Sequence, residues 1–286
     1  MVTSPIPGVS VGHHTDAEAR TGCTVIRLPD GTVASGEVRG GAPATREFEL
    51  LDPQRRVDRL DAVVLCGGSA FGLAAADGVM AHLADEGIGF ATRAGAVPIV
   101  VAMSVFDLGV GDGSVRPTAD HGRQAAAAAG TEFDVGTVGA GAGATLGNWA
   151  GPEAAEPGGI GWASVTHGGV TVAALVVVNA IGRALTAEDP IARATATIDA
   201  WADLDEGRNT TIGVVLTDAT LIKSECQLVA QSGHDGLARA LEPAHTRYDG
   251  DALVVAATGS VDADTDHVRV LAAGVVESAV RHVGAR

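Results

Sequence analysis

Short runs of aliphatic residues alternate along this chain with longer segments whose apolar positions recur every three or four residues. Residues 61–66 (DAVVLC) form a compact apolar run that ends in Gly67-Gly68-Ser69. It leads into residues 70–86, where Leu73, Ala76, Val79, Met80 and Leu83 recur at helical spacing. Residues 99–106 read as another strand and 118–129 as an alanine-rich helix. Residues 168–179 (GGVTVAALVVVN) are a long strand ending in a polar residue, and 187–201 are helical. The remainder reads strand 211–216, amphipathic helix 219–241, strand 251–257 and final helix 264–283. Near the start, 22–27 (GCTVIR) and 32–38 predict a hairpin closed by Pro29-Asp30-Gly31. Residues 136–147 (GTVGAGAGATLG) form a glycine-rich loop. No low-complexity linker or internal repeat interrupts the pattern. Strands in hairpins as well as between helices suit sheets sandwiched by helices, so a single compact α/β domain layered helix–sheet–sheet–helix is expected.

Composition narrows this picture. At 286 residues, 46% hydrophobic but only 3% aromatic, the core must be built from Ala, Val, Ile and Leu. The net charge of −16, with Lys223 the single lysine, argues against nucleic acid or an anionic membrane as partner. Cys23, Cys66 and Cys226 are scattered, with no Cys-x-x-Cys or Cys/His spacing, so neither a metal site nor a disulfide framework is indicated. No stretch approaches the roughly 20 apolar residues that span a bilayer, and residues 1–20 show no signal-peptide pattern. A cytoplasmic protein that needs no cofactor is the expectation.

Several motifs suggest chemistry. Gly139-Ala140-Gly141-Ala142-Gly143 resembles a dinucleotide fingerprint but lacks the third glycine, and Asn148-Trp149-Ala150-Gly151-Pro152 follows where a helix should begin. Ser69 stands at a strand-to-helix turn without the spacing of a serine-hydrolase elbow. It reads as a helix N-cap, and the amides of Gly67, Gly68 and Ser69 could also face an anion. His13-His14 with Asp16 make a metal site conceivable, although turn histidines explain them as well.

The stretch Arg208-Asn209-Thr210-Thr211-Ile212-Gly213-Val214-Val215-Leu216 is the most suggestive, because a polar approach over 203–209 runs directly into a buried strand. Thr210 reads either as a strand-starting residue or as a nucleophile at a self-cleavage junction. A hydroxyl is a poor nucleophile until a base takes its proton. If the bond before Thr210 is cut, the freed α-amino group, with a reference pKa of roughly 7.7–8.0, is a base within reach.

The ordered motifs VGHHTDAEARTGCTV, LCGGSAFGL, FDLGVGD, GAGAGATLG and NTTIGVVLTDATL run nearly end to end. In them the chain resembles the DmpA-like family of self-processing N-terminal-nucleophile amidases. That family includes L-aminopeptidase/D-amidases, β-peptidyl aminopeptidases and nylon-oligomer hydrolase. The resemblance implies a helix–sheet–sheet–helix sandwich of the DmpA/ornithine acetyltransferase type, cut between Asn209 and Thr210 into chains 1–209 and 210–286. It implies Thr210 as nucleophile and Asn179 as an amide that faces the reacting carbonyl and helps to hold the oxyanion. It also implies Asp249 and Asp251 as a pair contacting the nucleophile's amine and hydroxyl, although Tyr248-Asp249-Gly250-Asp251 also reads as a plain Asp-Gly turn. Gly67, Gly68, Ser69 and Asn148 are further candidates for substrate or oxyanion contacts. Where several relatives carry a lysine beside the glycine loop this chain has Asn148, and where some offer a tyrosine it has Phe106. The implied substrate is a small peptide, amino-acid amide or oligoamide, and the implied assembly a homo-oligomer. Two other readings remain: an acyltransferase of the ornithine acetyltransferase type, and a non-catalytic relative that binds a ligand or partner.

Overall fold

The computed structural model describes residues 1–185, 189–200 and 209–284. Its ten principal strands are β1 (Ser10–Asp16), β2 (Thr21–Arg27), β3 (Val33–Val38), β4 (Thr45–Arg46), β5 (Ala62–Cys66), β6 (Val100–Ser104), β7 (Gly159–His167), β8 (Val170–Asn179), β9 (Thr210–Ala219) and β10 (Ala252–Val261). They form two five-stranded sheets, ordered β1-β2-β5-β6-β4 and β7-β8-β9-β10-β3. The helices are α1 (Ala75–Asp85), α2 (Ala119–Ala127), α3 (Pro190–Asp199), α4 (Lys223–Ala240) and α5 (Thr265–Gly284).

Side-chain alternation along the strands builds three apolar layers. Ile26, Leu65 and Met103 of the first sheet meet Leu175, Val177, Ile212, Val214 and Leu216 of the second. On the second sheet's other face, Val176, Val215 and Val255 pack against Val229 and Leu237 of α4 and Val276 of α5. On the first sheet's outer face, Val25 and Val64 meet Val79 and Leu83 of α1 and Ala125 of α2. The molecule is thus an α/β protein layered helix–sheet–sheet–helix. Because both faces of β8 and β9 are covered, their central stretches, 172–178 and 212–216, are apolar on both sides.

The strand register fixes what meets at one end of the second sheet. β8 and β9 run antiparallel with Asn179 opposite Thr210, and β9 and β10 run parallel with Ile212 opposite Ala252. The end of β8 and the starts of β9 and β10 therefore share an edge.

Several expectations need correction. Residues 32–38 do not form a hairpin with 22–27: β3 pairs with β10, Val38 opposite Ala252, while β2 is flanked by β1 and β5. The turn at 29–31 instead carries the chain from one sheet to the other. A buried strand's apolar pattern does not say which sheet it joins. Three of these strands escaped the reading: β1, β7 and the two-residue β4. His13 and His14 lie within β1, not in a turn, and His13 Nδ1 is 2.9 Å from Thr24 Oγ1. Ser69 is not an N-cap: it opens a 3-10 turn (Ser69–Ala74) with φ of 54° and makes no capping bond. The expected helix 187–201 is observed as α3, with 187, 188 and 201 outside the described residues, as is the polar approach at 203–208. No helix among the described residues is long and apolar enough to cross a membrane.

Candidate active site

Thr210 opens β9 and is 4% exposed. Its Oγ donates to the carbonyl oxygen of Asn209, the residue before it, at 2.6 Å. The same oxygen accepts the N–H of Gly250 at 2.9 Å, and the Asn209 N–H donates to Tyr248 O at 3.3 Å. The junction lies against the turn that precedes β10, with Asn209 bridging Asp249 in parallel register.

Both carboxylates of that turn are buried and held. Asp251 Oδ1 accepts the Thr211 N–H at 2.7 Å. Its Oδ2 accepts the His245 N–H at 3.1 Å and lies 2.8 Å from His245 Nδ1. Asp249 Oδ2 accepts both the N–H and the hydroxyl of Thr246, at 2.9 and 2.7 Å, and its Oδ1 faces the Ile181 N–H at 3.4 Å. The turn's backbone is tied to the segment after β3: Ala42 N–H donates to Asp249 O, and the N–H groups of Arg39 and Gly40 donate to Asp251 O.

Burial, reinforced by the negative charge of Asp251, pushes the Asp249 carboxyl well above its ordinary range, so its neutral form persists toward neutral pH. Burial of the His245 imidazole works against its charge, but the bond to Asp251 and that carboxylate's charge outweigh it, leaving His245 raised. His234, edge-on to His245 at 4.9 Å, is driven down to about 4 chiefly by burial. The arrangement sets a poised carboxyl and a clamped carboxylate on either side of one glycine.

Asn179 faces Thr210 across the ladder and is fully buried. Its Oδ1 accepts the Thr145 N–H at 2.9 Å and its Nδ2 donates to Phe106 O at 3.1 Å, so it ties three segments together at the site's edge. Asn148 joins the same group, with Nδ2 donating to Thr145 Oγ1 at 3.1 Å and Ala180 O at 3.2 Å. Lys223 belongs elsewhere: beyond the far end of β9, its Nζ donates to the carbonyls of Leu50, Arg55 and Val57.

Gly67, Gly68 and Ser69 do not offer free amides. Their N–H groups donate to Gly22 O at 2.8 Å, Asp107 Oδ1 at 2.6 Å and Val105 O at 2.9 Å, so an anion would have to displace protein acceptors. Asp107, which also accepts the Thr21 hydroxyl at 2.8 Å, holds this turn from within. The glycine-rich loop is likewise satisfied internally, with Gly139 and Ala140 N–H groups donating to Thr15 and Thr24. Among the described residues no group of three metal-ligating side chains comes together, His13, His14 and Asp16 included.

Sequence reasoning missed His245, Thr246, the Gly250 N–H and Asp107. The first three stand beside Asp249 and Asp251 in the chain, where a turn of polar residues before a strand was the available signal. Asp107 lies in the motif FDLGVGD, but its partners are distant in sequence.

Comparison with known proteins supplies the family context. Residues 4–283 match the sequence profile of peptidase family S58. An uncharacterized aminopeptidase of Mycobacterium tuberculosis is 44% identical over 286 residues, covering 90% of this chain and 81% of the relative. The 6-aminohexanoate-oligomer endohydrolase of an Agromyces species is 29% identical over 285 residues, covering 93% and 77%. Among solved structures, the L-aminopeptidase D-Ala-esterase/amidase of Ochrobactrum anthropi, a variant of the Ntn hydrolase fold, matches with a TM-score of 0.73 at 20% identity, covering 98% of this chain and 86% of that one.

Proposed function

Since the chain belongs to peptidase family S58 and is a hydrolase of amide bonds, we propose that Thr210 is its nucleophile, exposed by self-cleavage of the bond to Asn209. The observation that carries this is the 2.6 Å bond from Thr210 Oγ to the Asn209 carbonyl, at a junction bordered by two buried carboxylates.

In processing, Oγ attacks the Asn209 carbonyl carbon. The C–N bond to Thr210 breaks, the hydroxyl proton passes to the departing nitrogen, and an ester remains. Water then cleaves that ester, leaving a carboxylate on Asn209 and restoring the hydroxyl. The new α-amino group of Thr210 serves as base in turnover. A substrate amide is attacked by Oγ, its amine leaves with a proton, and water hydrolyses the acyl ester. Asp249 and Asp251 orient the amine and hydroxyl, and Asn179 shapes the carbonyl's surroundings.

The proposed substrates are small peptides, amino-acid amides or oligoamides, a range supported by the names of the relatives. The reading includes action in the cytoplasm without nucleic acid or membrane as partner, supported by the acidic charge and by three buried free cysteines. It also includes a homo-oligomer, supported by family resemblance and tested by light scattering. Intact-mass analysis with N-terminal sequencing tests the core claim. The expected masses are those of 1–209 and 210–286, and Thr210→Ala should remain one inactive chain. A folded, active protein that stays intact would sink the proposal.

A further inference from the structure

We propose that the backbone N–H of Gly250 is the oxyanion donor at the Asn209 carbonyl, and that after the cut the same N–H receives the substrate's carbonyl oxygen. This rests on the reading of Thr210 as nucleophile and adds the group that carries the developing charge.

The Asn209 oxygen accepts two bonds, from Thr210 Oγ at 2.6 Å and from Gly250 N at 2.9 Å. The first must vanish as chemistry proceeds, because Oγ gives up its proton while bonding to carbon. The second remains while negative charge gathers on the oxygen, which is what a preorganised donor must do. Asn179 does not contact this oxygen, since its amide is engaged with Phe106 O and the Thr145 N–H.

The donor cannot readily turn away. On one side Asp249 is anchored through its carboxyl to Thr246 and through its carbonyl to Ala42. On the other, Asp251 is anchored to Thr211 and His245 through its carboxyl and to Arg39 and Gly40 through its carbonyl. Glycine is demanded here by space: a Cβ at 250 would lie 2.8 Å from Thr210 Oγ and 2.7 Å from Ala42 O. A side chain would thus press on the hydroxyl that must attack.

The ester formed in processing and the acyl ester formed with a substrate are chemically alike, an acyl carbonyl on Thr210 Oγ. Departure of the Asn209 carboxylate frees the Gly250 N–H for the next acyl group.

The test removes this single N–H. Cys226 offers a native junction at which an expressed 1–225 thioester joins a synthetic 226–286 segment. Three full-length chains are refolded: wild type, one with an ester in place of the amide between Asp249 and Gly250, and one with the ester between Tyr248 and Asp249. The last removes the Asp249 N–H, which donates to Thr246 O and does not touch the Asn209 carbonyl. Folding is followed by circular dichroism and precursor half-life by intact mass. The expected result is a slowing of roughly 10²–10³-fold for the 250 ester and near-wild-type processing for the 249 ester. Material slowly processed from the 250 ester should show a matching loss in kcat with KM little changed. A folded 250 ester that processes at the wild-type rate, or equal slowing by both esters, overturns the role of Gly250 alone. A refolded wild type that never cleaves overturns both this and the nucleophile assignment.

Discussion

Gly67-Gly68-Ser69, which follows β5, and Asp249-Gly250-Asp251, which precedes β10, are both glycine turns flanking an apolar strand and held by buried carboxylates. They differ in where their N–H groups go. At the first, all three amides are consumed by Gly22, Asp107 and Val105, and the carboxylate of Asp107 faces inward to the turn itself. At the second, the carboxylates secure neighbouring loops, and the glycine amide is directed at the carbonyl of another strand's first peptide bond. A turn that spends its donors on itself is scaffold, whereas one whose donor is held rigid and aimed across a junction can stabilise charge that appears there.

The sharpest way to break this contrast is Asp251→Ala, which leaves the Thr211 N–H and the His245 ring without their acceptor. Self-cleavage should slow by about 10³-fold, within the usual range for loss of a proton-handling or orienting group. Precursor half-life by intact mass measures it. Wild-type processing in a folded variant would make the two turns equivalent.

Acid sensitivity should also separate them. Unfolded His234 takes a proton near 6.5, whereas the native residue stays neutral until about 4. Protonation of His234 therefore favours the unfolded state as pH falls through that window, and its contribution lowers native stability by up to about 3 kcal/mol between pH 6.5 and 4. The raised Asp249 carboxyl acts in the opposite direction over part of this window. The His234 effect is therefore read as the difference between wild type and His234→Gln in equilibrium denaturation from pH 7.5 to 4, the variant lacking this acid-side decline. Its neighbours in this response are His245, Asp251, Arg39 and Glu37. An unchanged decline in the variant would assign it elsewhere.

At the scaffold turn, Gly67→Ala would set a Cβ 2.1 Å from Asp107 Oδ2 and 2.5 Å from Thr21 Oγ1. A loss of about 2 kcal/mol is expected from overpacking, with cleavage preserved in the folded fraction. Urea unfolding combined with intact mass reads both, and lost cleavage with unchanged stability would reverse the roles of the turns. The smallest effect belongs to Ser69→Gly. Relief of the positive φ should stabilise by about 0.5 kcal/mol and leave kcat/KM within twofold. A tenfold loss of activity would return Ser69 to the site.

Much of this organisation was legible along the chain because long apolar runs and helical spacing are local signals. β5, β6, β8, β9 and the helices α1, α2, α4 and α5 follow them closely. The partner of β3 was not legible, since either sheet would bury Val33 to Val38 equally well. β1 was hidden by its histidines and aspartate. At the site, Thr210, Asn179, Asp249 and Asp251 could be marked through family motifs, and the register brings the elements that carry them to one sheet edge. The clamp by His245 and the orientation of the Gly250 N–H depend on loops meeting in space. No spacing encodes those, just as none revealed that the Gly67-Gly68-Ser69 amides were already occupied.

The order of the second sheet gives the proposed cut an unusual dynamic consequence. β9 and β10, which would belong to the 210–286 product, lie between β8 and β3, which would belong to 1–209. Cleavage alters connectivity while leaving the sheet's composition intact, so neither product holds the whole of this second sheet alone. Release would require both bordering ladders to open together, which makes loss of structure a first-order event. Recovery would require two molecules to meet. The uncut chain regains its fold at a rate independent of concentration, and the cut protein would become a system whose reassembly slows with dilution.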